Sequence, residues 1–326
     1  MFRWQMMACG VLAVIALTPV LGVQPACAGA FRDALMQRRA AAMAQSSAVL
    51  PPGIRVVRDV TYGSDPKQRF DVYAPMQADH APVIFMVHGG AWAIGDKAAK
   101  NVIENKVARW VPRGFILVSV NYRLLPDAVP RQQAQDVAQA LVQAQRQAME
   151  WGGDREKFIL MGHSAGAHLV DLLAAQPSIA LQRGATLWLG TVSLDSASLN
   201  VVQTMQSRHP RLYDRAFGSD PAVWQAVSPL QQLHAPGAPF LAVCSSRRAD
   251  SCPQAHHFVD KATRLGTRAQ VLEQDLSHEE INQQLGTPSS YTAQVEAFMR
   301  NLDPAVAHLL DDQARQLSAL PVVISR

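Results

Sequence analysis

The chain has 326 residues, of which 48% are apolar and 17% are charged. This composition is that of a globular protein and excludes a disordered or collagen-like chain, and the length allows one large α/β domain or two smaller ones. The formal charge of +4 comes from Lys and Arg residues that are spread along the chain rather than gathered in a basic block. It therefore does not indicate a nucleic-acid or membrane partner.

Residues 1–30 have the pattern of a secretory signal peptide. Arg3 precedes an apolar run, MMACGVLAVIAL, that is shorter than the roughly 20 residues of a membrane span, and A-x-A cleavage patterns follow at residues 26–28 and 28–30. A retained anchor, or a lipid anchor at Cys27, is the alternative, although Gln24 stands where a lipoprotein site usually has an aliphatic residue. We therefore expect an exported protein, periplasmic or extracellular, with no stable membrane span in its mature form.

Export would leave two of the four cysteines, Cys244 and Cys252, in the mature chain. In an oxidising compartment, two cysteines eight positions apart are candidates for a disulfide. The alternative is two unpaired small apolar side chains. Nothing nearby supplies a second ligand pair at zinc spacing, so the sequence implies no metal.

After a lead-in at residues 31–50, short apolar runs alternate with helical patterns. The central runs, VIFMV, FILVSV and FILMG, are continuous, as expected of parallel strands covered on both faces. This alternation predicts one α/β domain over residues 51–302, with a mostly parallel eight-stranded sheet and helices on both faces. Strands are predicted at 56–62, 69–73, 83–87, 115–121, 158–162, 186–194, 240–245 and 269–274, and helices at 98–112, 131–151, 165–175 and 254–265.

Two segments depart from the alternation. Residues 196–236 hold several Pro, Trp and His residues and are predicted to form a small cap-like excursion over the carboxyl ends of the strands, where open α/β sheets bind ligands. Residues 303–326 are predicted to be a C-terminal tail with a short helical stretch, and the sequence assigns them no function.

The sequence GHSAG at residues 162–166 follows the apolar run KFILM and precedes the helical pattern AHLVDLLAA. A serine between a strand and a helix, flanked by glycines where a Cβ would clash, is the context of a nucleophile elbow. Ser164 is therefore the candidate nucleophile. A G-x-S-x-G pattern also occurs by chance in loops and turns, but its placement between a strand and a helix favours the catalytic interpretation.

The sequence HGGAW at residues 88–92 directly follows the strand PVIFMV. Small residues there allow the backbone to turn its N–H groups towards the serine. We expect the N–H groups of Gly90, Ala91 and Ala165 to form an oxyanion hole. Trp92 is a candidate substrate contact, although it could equally pack this loop onto the domain.

Residues 83–175 resemble the α/β-hydrolase family, and within it the HGGGW-motif esterases of the hormone-sensitive-lipase-like and kynurenine-formamidase-like branches. HGGAWAIGDK, VNYRLLPDAVPRQQAQD and GHSAGAH carry the resemblance, which continues through SPLQQL, PFLAVCSSRRAD and SHEEI and covers residues 52–300. Ala91 stands where many members have a third glycine. The resemblance implies a serine hydrolase with neither a metal nor an organic cofactor.

A nucleophilic serine needs a base, and the base needs an orienting acid; in this fold the chain order is Ser, acid, His. His278 follows the last predicted strand, where the family's catalytic histidine sits. Asp250, beyond the strand PFLAVCSS, occupies the family's usual acid position and is the predicted acid. Asp195, at the end of the preceding strand, is the first alternative, followed by Asp260 and Asp275.

Together these patterns predict a secreted serine hydrolase that cleaves small-molecule carboxylic esters through an acyl-enzyme intermediate. An amide or formamide hydrolase with the same triad is one alternative. A non-catalytic binding protein on the same fold is another, although such members usually lose the serine or the histidine, and Ser164 and His278 are both present. The sequence reveals neither the physiological substrate nor the oligomeric state.

Overall fold

The structure is a computed structural model that describes residues 50–318; the predicted signal peptide, the lead-in up to residue 49 and residues 319–326 lie outside the described part. Eight strands form one sheet in the order β1-β2-β4-β3-β5-β6-β7-β8. β1 and β2 pair antiparallel, as do β2 and β4, and every other pair is parallel. The strands are β1 Ile54–Thr61, β2 Arg69–Pro75, β3 Ala81–Val87, β4 Ile116–Val120, β5 Gly153–His163, β6 Gly190–Leu194, β7 Phe240–Ser245 and β8 Ala269–Gln274.

Helices cover both faces of this sheet. Twelve α-helices lie within the described residues, together with two short 3₁₀ segments, Val111–Arg113 and Ala148–Trp151. The helices are α1 Lys100–Trp110, α2 Pro130–Gln147, α3 Ala165–Ala175, α4 Ser178–Leu181, α5 Val201–Gln206, α6 Arg211–Phe217, α7 Pro221–Ala226, α8 Pro229–Gln232, α9 Ser251–Arg264, α10 His278–Gln283, α11 Ser290–Arg300 and α12 Pro304–Ser318.

The central strands separate two apolar cores, and their side chains alternate between them. Phe85 of β3 packs with α2 and α3 on one face, whereas its neighbours Ile84 and Met86 pack with α1, α11 and α12 on the other. Each of these side chains is fully buried. A strand with a core on each side must be apolar at every position, which explains the continuous apolar runs in the sequence.

All eight predicted strands and all four predicted helices are present, with boundaries that shift by a few residues; β6 is the shortest relative to its prediction and begins only at Gly190. The C-terminal boundary differs more. α12 lies beyond residue 302, yet Val306 and Leu310 of this helix are buried in the second core, and Arg300 of α11 pairs with Asp311 at 2.7 Å. The domain therefore extends past the predicted boundary and includes α12.

The segment predicted as a cap-like excursion holds four short helices, α5 to α8, between β6 and β7. Tyr213 and Phe217 of α6 are buried and belong to the same core as α2 and α3. Among the described residues, no helix is both long enough and apolar enough to span a membrane.

Candidate active site

Ser164 lies on a sharp turn between a strand and a helix. β5 ends at His163 and α3 begins at Ala165, and Ser164 between them has φ 56° and ψ −118°. Its N–H donates to the carbonyl of Leu194 at 3.1 Å, and its own carbonyl accepts from the N–H of Ala197 at 3.0 Å. A positive φ is costly for a non-glycine residue and persists where the surroundings fix it. The turn therefore has the conformation of the predicted nucleophile elbow.

The glycines around this turn are required by close backbone contacts. A Cβ on Gly162 would lie 2.4 Å from the carbonyl oxygen of Gly166, and one on Gly166 would lie 2.3 Å from that of Val87. A Cβ on Gly89 would lie 3.0 Å from the Cβ of Ser164. The HGGAW loop thus lies directly against the serine, as the sequence predicted.

The HGGAW loop itself has an unusual backbone. Gly90, Ala91 and Trp92 have φ values of 117°, 52° and 59°. The carbonyl of Gly90 accepts from the N–H groups of Ala93 and Ile94, which closes the loop into a tight turn. Within residues 50–318, no hydrogen bond is donated by the N–H of Gly90 or Ala91. These two groups, with the N–H of Ala165 at the first position of α3, are available to an external oxygen.

The side chain of Trp92 is fully buried. Its Nε1 donates to His168 Nδ1 at 3.2 Å, and its ring packs 4.9 Å from that of Phe217 and 5.7 Å from that of Tyr213. Of the two roles predicted for Trp92, the structure shows packing and offers no exposed surface for a substrate contact. Trp92 joins the HGGAW loop to α3 and to the excursion.

His278 is the first residue of α10, and the local sequence explains why the helix begins there. The Ser277 N–H donates to Glu280 Oε2 at 2.7 Å, and the Glu280 N–H donates back to Ser277 Oγ at 3.3 Å. This reciprocal capping box satisfies two backbone donors at the helix start. It places the imidazole of His278 at the carboxyl edge of the sheet, beside the residue that precedes Ser164: the rings of His163 and His278 are 4.6 Å apart.

The other end of α10 is held by α1. Lys106 Nζ donates to the carbonyl of Asn282 at 2.7 Å and to its Oδ1 at 2.8 Å, and Asn105 Nδ2 donates to the carbonyl of Gln283 at 2.5 Å. These carbonyls belong to the last turn of the helix and have no partner within it. Lys106 is buried, and burial lowers its pKa to about 7.

The carboxylate that contacts His278 is Asp195, not Asp250. Asp195 Oδ2 lies 2.5 Å from His278 Nδ1, and the Asp195 side chain is fully buried. Asp250 is about half exposed, and within residues 50–318 its carboxylate pairs with Arg248 at 3.5 Å and has no contact with His278. The prediction of Asp250 as the acid is therefore wrong, and the first alternative occupies the position.

The distance of each aspartate from the end of its strand explains why Asp195 rather than Asp250 contacts His278. Asp195 directly follows β6 with φ 46°, which turns its side chain along the carboxyl edge of the sheet towards α10. Asp250 comes five residues after the end of β7, and in between the loop turns Arg248 rather than Asp250 towards His278. Of the remaining alternatives, Asp275 pairs with Arg247 and is 83% exposed.

Four donors surround the Asp195 carboxylate. Oδ1 accepts from the N–H of Ser245 at 2.9 Å and from the hydroxyl of Ser251, and Oδ2 accepts from His278 and from Arg248 Nη1, the latter at 2.8 Å. Burial by itself would raise the pKa of Asp195, but the hydrogen bond from His278 and the charge of Arg248 outweigh burial and hold this pKa well below its usual range. Asp195 is therefore ionised at neutral pH.

The loop that supplies these donors is closed by a disulfide, as predicted. Cys244 is in β7, Cys252 is in α9, and their sulfurs are bonded with the Cα atoms 5.2 Å apart. Both cysteines are buried in a small apolar core between α9 and the end of the sheet.

The fold and the site together define the class. An eight-stranded, mostly parallel sheet, a serine on a left-handed turn between β5 and α3, and a histidine after β8 are the features of the α/β-hydrolase fold. The BD-FAE family model matches residues 70–247, more than half of the chain. The chain belongs to this family.

Curated relatives and solved structures agree with this placement. Esterase LipC of Mycobacterium tuberculosis is 30% identical over 235 residues, covering 66% of this chain and 56% of that protein. The probable isoprenylcysteine alpha-carbonyl methylesterase ICMEL2 of Arabidopsis thaliana is 33% identical over 134 residues, covering 41% of this chain and 31% of that protein. The matched part of the chain thus spans about a third to just over half of the length of these relatives.

Esterase B from Lactobacillus rhamnosis, in a crystal structure with a C4-C4 SN3 tributyrin phosphonate, superposes with a TM-score of 0.67. The alignment covers 90% of this chain and 99% of that chain at 19% identity. At this identity the likeness concerns the fold.

Proposed function

We propose that this protein is a serine hydrolase of small-molecule carboxylic esters, with Ser164, His278 and Asp195 as its catalytic triad. The observation that carries the proposal is the buried Asp195–His278 hydrogen bond, which lies at the sheet edge beside the serine turn. A serine becomes a useful nucleophile when a histidine removes its proton and a carboxylate orients that histidine.

In the proposed reaction, Ser164 Oγ attacks the ester carbonyl carbon and its proton passes to His278 Nε2. The Nδ1–H of His278 donates to Asp195, which fixes the tautomer and stabilises the imidazolium without accepting the proton. His278 then protonates the leaving alcohol as the tetrahedral intermediate collapses to an acyl-enzyme. Water, deprotonated by His278, attacks the acyl carbonyl and releases the acid.

In this proposal, the N–H groups of Gly90, Ala91 and Ala165 stabilise the negative charge that develops on the carbonyl oxygen. Two of them belong to the left-handed HGGAW loop that lies against Ser164, and the third begins α3, whose dipole adds positive potential. Because these donors are fixed by the backbone, they need little reorganisation when charge develops. One such donor is typically worth a factor of about 10²–10³ in rate.

The named relatives support an ester substrate. Esterase LipC and the methylesterases are named for ester cleavage, and esterase B is seen with a phosphonate, a class of compound that resembles the tetrahedral intermediate of acyl transfer. An amide substrate needs the same groups, so the comparison of an ester with its matching amide on the purified protein distinguishes the two reactions.

The test is Ser164→Ala, with Ser246→Ala as a control because Ser246 is an exposed serine in the β7–α9 loop. Ser164→Ala should lower p-nitrophenyl acetate hydrolysis by about 10⁴-fold or more while the circular dichroism spectrum is unchanged. A fluorophosphonate should label the wild type and the control on Ser164 and leave Ser164→Ala unlabelled. Equal turnover by a folded Ser164→Ala variant would overturn the mechanism.

We also propose that the protein is exported. The signal-like N-terminus and the disulfide between Cys244 and Cys252 support an oxidising compartment. Intact-mass analysis of the protein made in a Gram-negative host, from periplasmic and cytoplasmic fractions, tests this directly. A mature chain that begins after residue 28 or 30 in the periplasmic fraction is expected, and a full-length cytoplasmic chain would contradict it.

A further inference from the structure

We propose that Arg248 is a positioning residue for the Asp195–His278 pair, acting through the carboxylate rather than on the substrate. The proposal rests on the proposed function. Arg248 Nη1 lies 2.8 Å from Asp195 Oδ2, the same oxygen that accepts from His278 Nδ1. The same nitrogen lies 3.3 Å from His278 Nδ1. Asp195 Oδ2 therefore accepts hydrogen bonds both from the permanently charged Arg248 and from His278, the proposed base.

The carboxylate has little freedom to rotate. Its other oxygen is held by the Ser245 N–H and the Ser251 hydroxyl. Among the residues that the structure describes, every donor to the Asp195 carboxylate except His278 therefore comes from residues 245–251. Residues 244 and 252 on either side of this stretch are joined by the disulfide. Arg248 is the only one of these three donors that reaches the oxygen facing His278, and therefore it fixes where that oxygen lies.

Arg248 is itself held from both sides. Its Nη1 also reaches the carbonyl of Ser196 at 3.4 Å, and its Nη2 lies 3.5 Å from Asp250. About a quarter of the Arg248 side chain is exposed, whereas Asp195 is fully buried. Asp250, which the sequence predicted as the acid, therefore has a different place in the site. It pairs with Arg248, and Arg248 in turn binds Asp195.

The charge of Arg248 has a consequence for proton transfer. When His278 takes the serine proton it becomes a cation, and a guanidinium at 3.3 Å opposes that charge while Asp195 favours it.

Other titratable groups also face this site. His163 contacts His278, and burial and the neighbouring His278 keep it neutral by lowering its pKa to about 3. Tyr213 interacts with Arg248 and Tyr291 with Asp195, and both are neutral because burial raises the pKa of each. Asp250 pairs with Arg248, and Arg247, Asp275 and Glu280 form an exposed cluster. Arg248 is the cation in direct contact with the pair.

Replacing Arg248 should therefore have two separable effects. Without Arg248, the Asp195 oxygen that faces His278 is less firmly held, so kcat of Arg248→Met should fall by about tenfold or more. KM should stay within about twofold, because the proposal has Arg248 act through the carboxylate rather than on the substrate. Loss of the Arg248 charge, which opposes protonation of His278, should move the acid limb of the plot of kcat/KM against pH to higher pH. Arg248→Lys, which keeps the charge but not the planar fork, should leave the acid limb in place and recover part of kcat.

The matched control is Arg264→Met. Arg264 is an exposed arginine in the last turn of α9, the helix that follows the same loop. Arg247, although adjacent to Arg248, is not a suitable control, because it donates to Glu280 Oε2 in the capping box that positions His278. Arg264→Met removes the same charge and should keep kcat and the acid limb within experimental error. A second readout is the downfield proton NMR signal of the His278 Nδ1–H, which should shift in Arg248→Met and not in Arg264→Met.

The outcomes separate this proposal from the proposed function. If Ser164→Ala is inactive but a folded Arg248→Met has the wild-type kcat, acid limb and downfield signal, Arg248 has no positioning role and the proposed function stands. If Ser164→Ala keeps wild-type turnover, the proposed function fails first. If Arg248→Met does not fold, Arg248→Lys decides: an acid limb that moves although the positive charge is kept, or a wild-type kcat although the planar fork is lost, would overturn the proposal.

Discussion

His163 Nε2 donates a hydrogen bond to the backbone carbonyl of His278 at 2.8 Å. The residue that precedes the proposed nucleophile is thus joined directly to the residue proposed as the base. Because burial and the nearby His278 lower the pKa of His163 to about 3, its imidazole is neutral at physiological pH and carries the donated proton on Nε2. This bond therefore joins the end of β5 to the first residue of α10.

Replacing His163 by Phe should test that connection. Phe keeps an aromatic ring of similar size against His278 but removes the N–H donor. We expect kcat for p-nitrophenyl acetate to fall by about 10²-fold with a small change in KM, since a displacement of about 1 Å can cost that much. Steady-state kinetics with a circular dichroism control measure it, and unchanged kcat would show that the capping box alone positions His278.

Asp195→Asn and Asp250→Asn make the same chemical change at two positions of one site. Asp195→Asn should lower kcat by about 10⁴-fold because the amide no longer fixes the histidine tautomer. Asp250→Asn should change kcat by less than about fivefold, since Asp250 is about half exposed and pairs with Arg248 rather than with His278. Kinetics of both variants at one pH decide between them. The opposite ranking would restore Asp250 as the acid.

The sequence predicted the scaffold of this site better than its acid. The GHSAG and HGGAW motifs each directly follow a strand in the sequence. Their positions at the carboxyl edge of the sheet can therefore be predicted from the local sequence alone. The acid depends on how a loop turns. Spacing after β7 favoured Asp250, but a five-residue loop does not specify which of its side chains faces the sheet edge.

A signal for Asp195 was nevertheless present. It follows the buried strand GTVSL with no loop in between, so its position is fixed by the strand, whereas that of Asp250 is not. The donors from Ser245, Arg248 and Ser251 could not be predicted, because they reach Asp195 across about 50 residues of chain. The same holds for Lys106, whose acceptors lie 176 positions away.

Lys106 should make the stability of the protein depend on pH. Its pKa is about 7 in the folded protein and near 10.5 for an ordinary lysine, so between these values the unfolded chain binds more protons. The free energy of unfolding should therefore rise with pH across this window. Lys106→Met should remove about 1 kcal/mol of that rise per pH unit.

Guanidinium unfolding at pH 7 and pH 9, with the disulfide intact, measures this effect. Lys100→Met is the matched control, because Lys100 lies on the same helix but is about half exposed and pairs with Glu104. The stability difference between wild type and Lys106→Met should grow from pH 7 to pH 9, and that of the control should stay constant. Parallel curves for all three proteins would mean that Lys106 is charged in the folded state.

The disulfide should stabilise the fold and the site together. Closing a loop as short as residues 244–252 is worth about 2.5 kcal/mol in the chain-entropy model. The loop also carries Ser245, Arg248 and Ser251, the three donors that hold Asp195. Loosening it should therefore lower kcat as well as Tm, whereas a disulfide remote from the site would change Tm alone.

Two measurements separate these effects. Alkylation of the native protein without reduction, followed by mass spectrometry, should leave Cys244 and Cys252 unmodified. The double variant Cys244→Ala/Cys252→Ala should then show a lower Tm and a lower kcat at a temperature well below that Tm, where the fraction unfolded is negligible. A double variant with a lower Tm but wild-type kcat would show that α9 and β7 hold the loop without the bond, and that the donors to Asp195 do not depend on it.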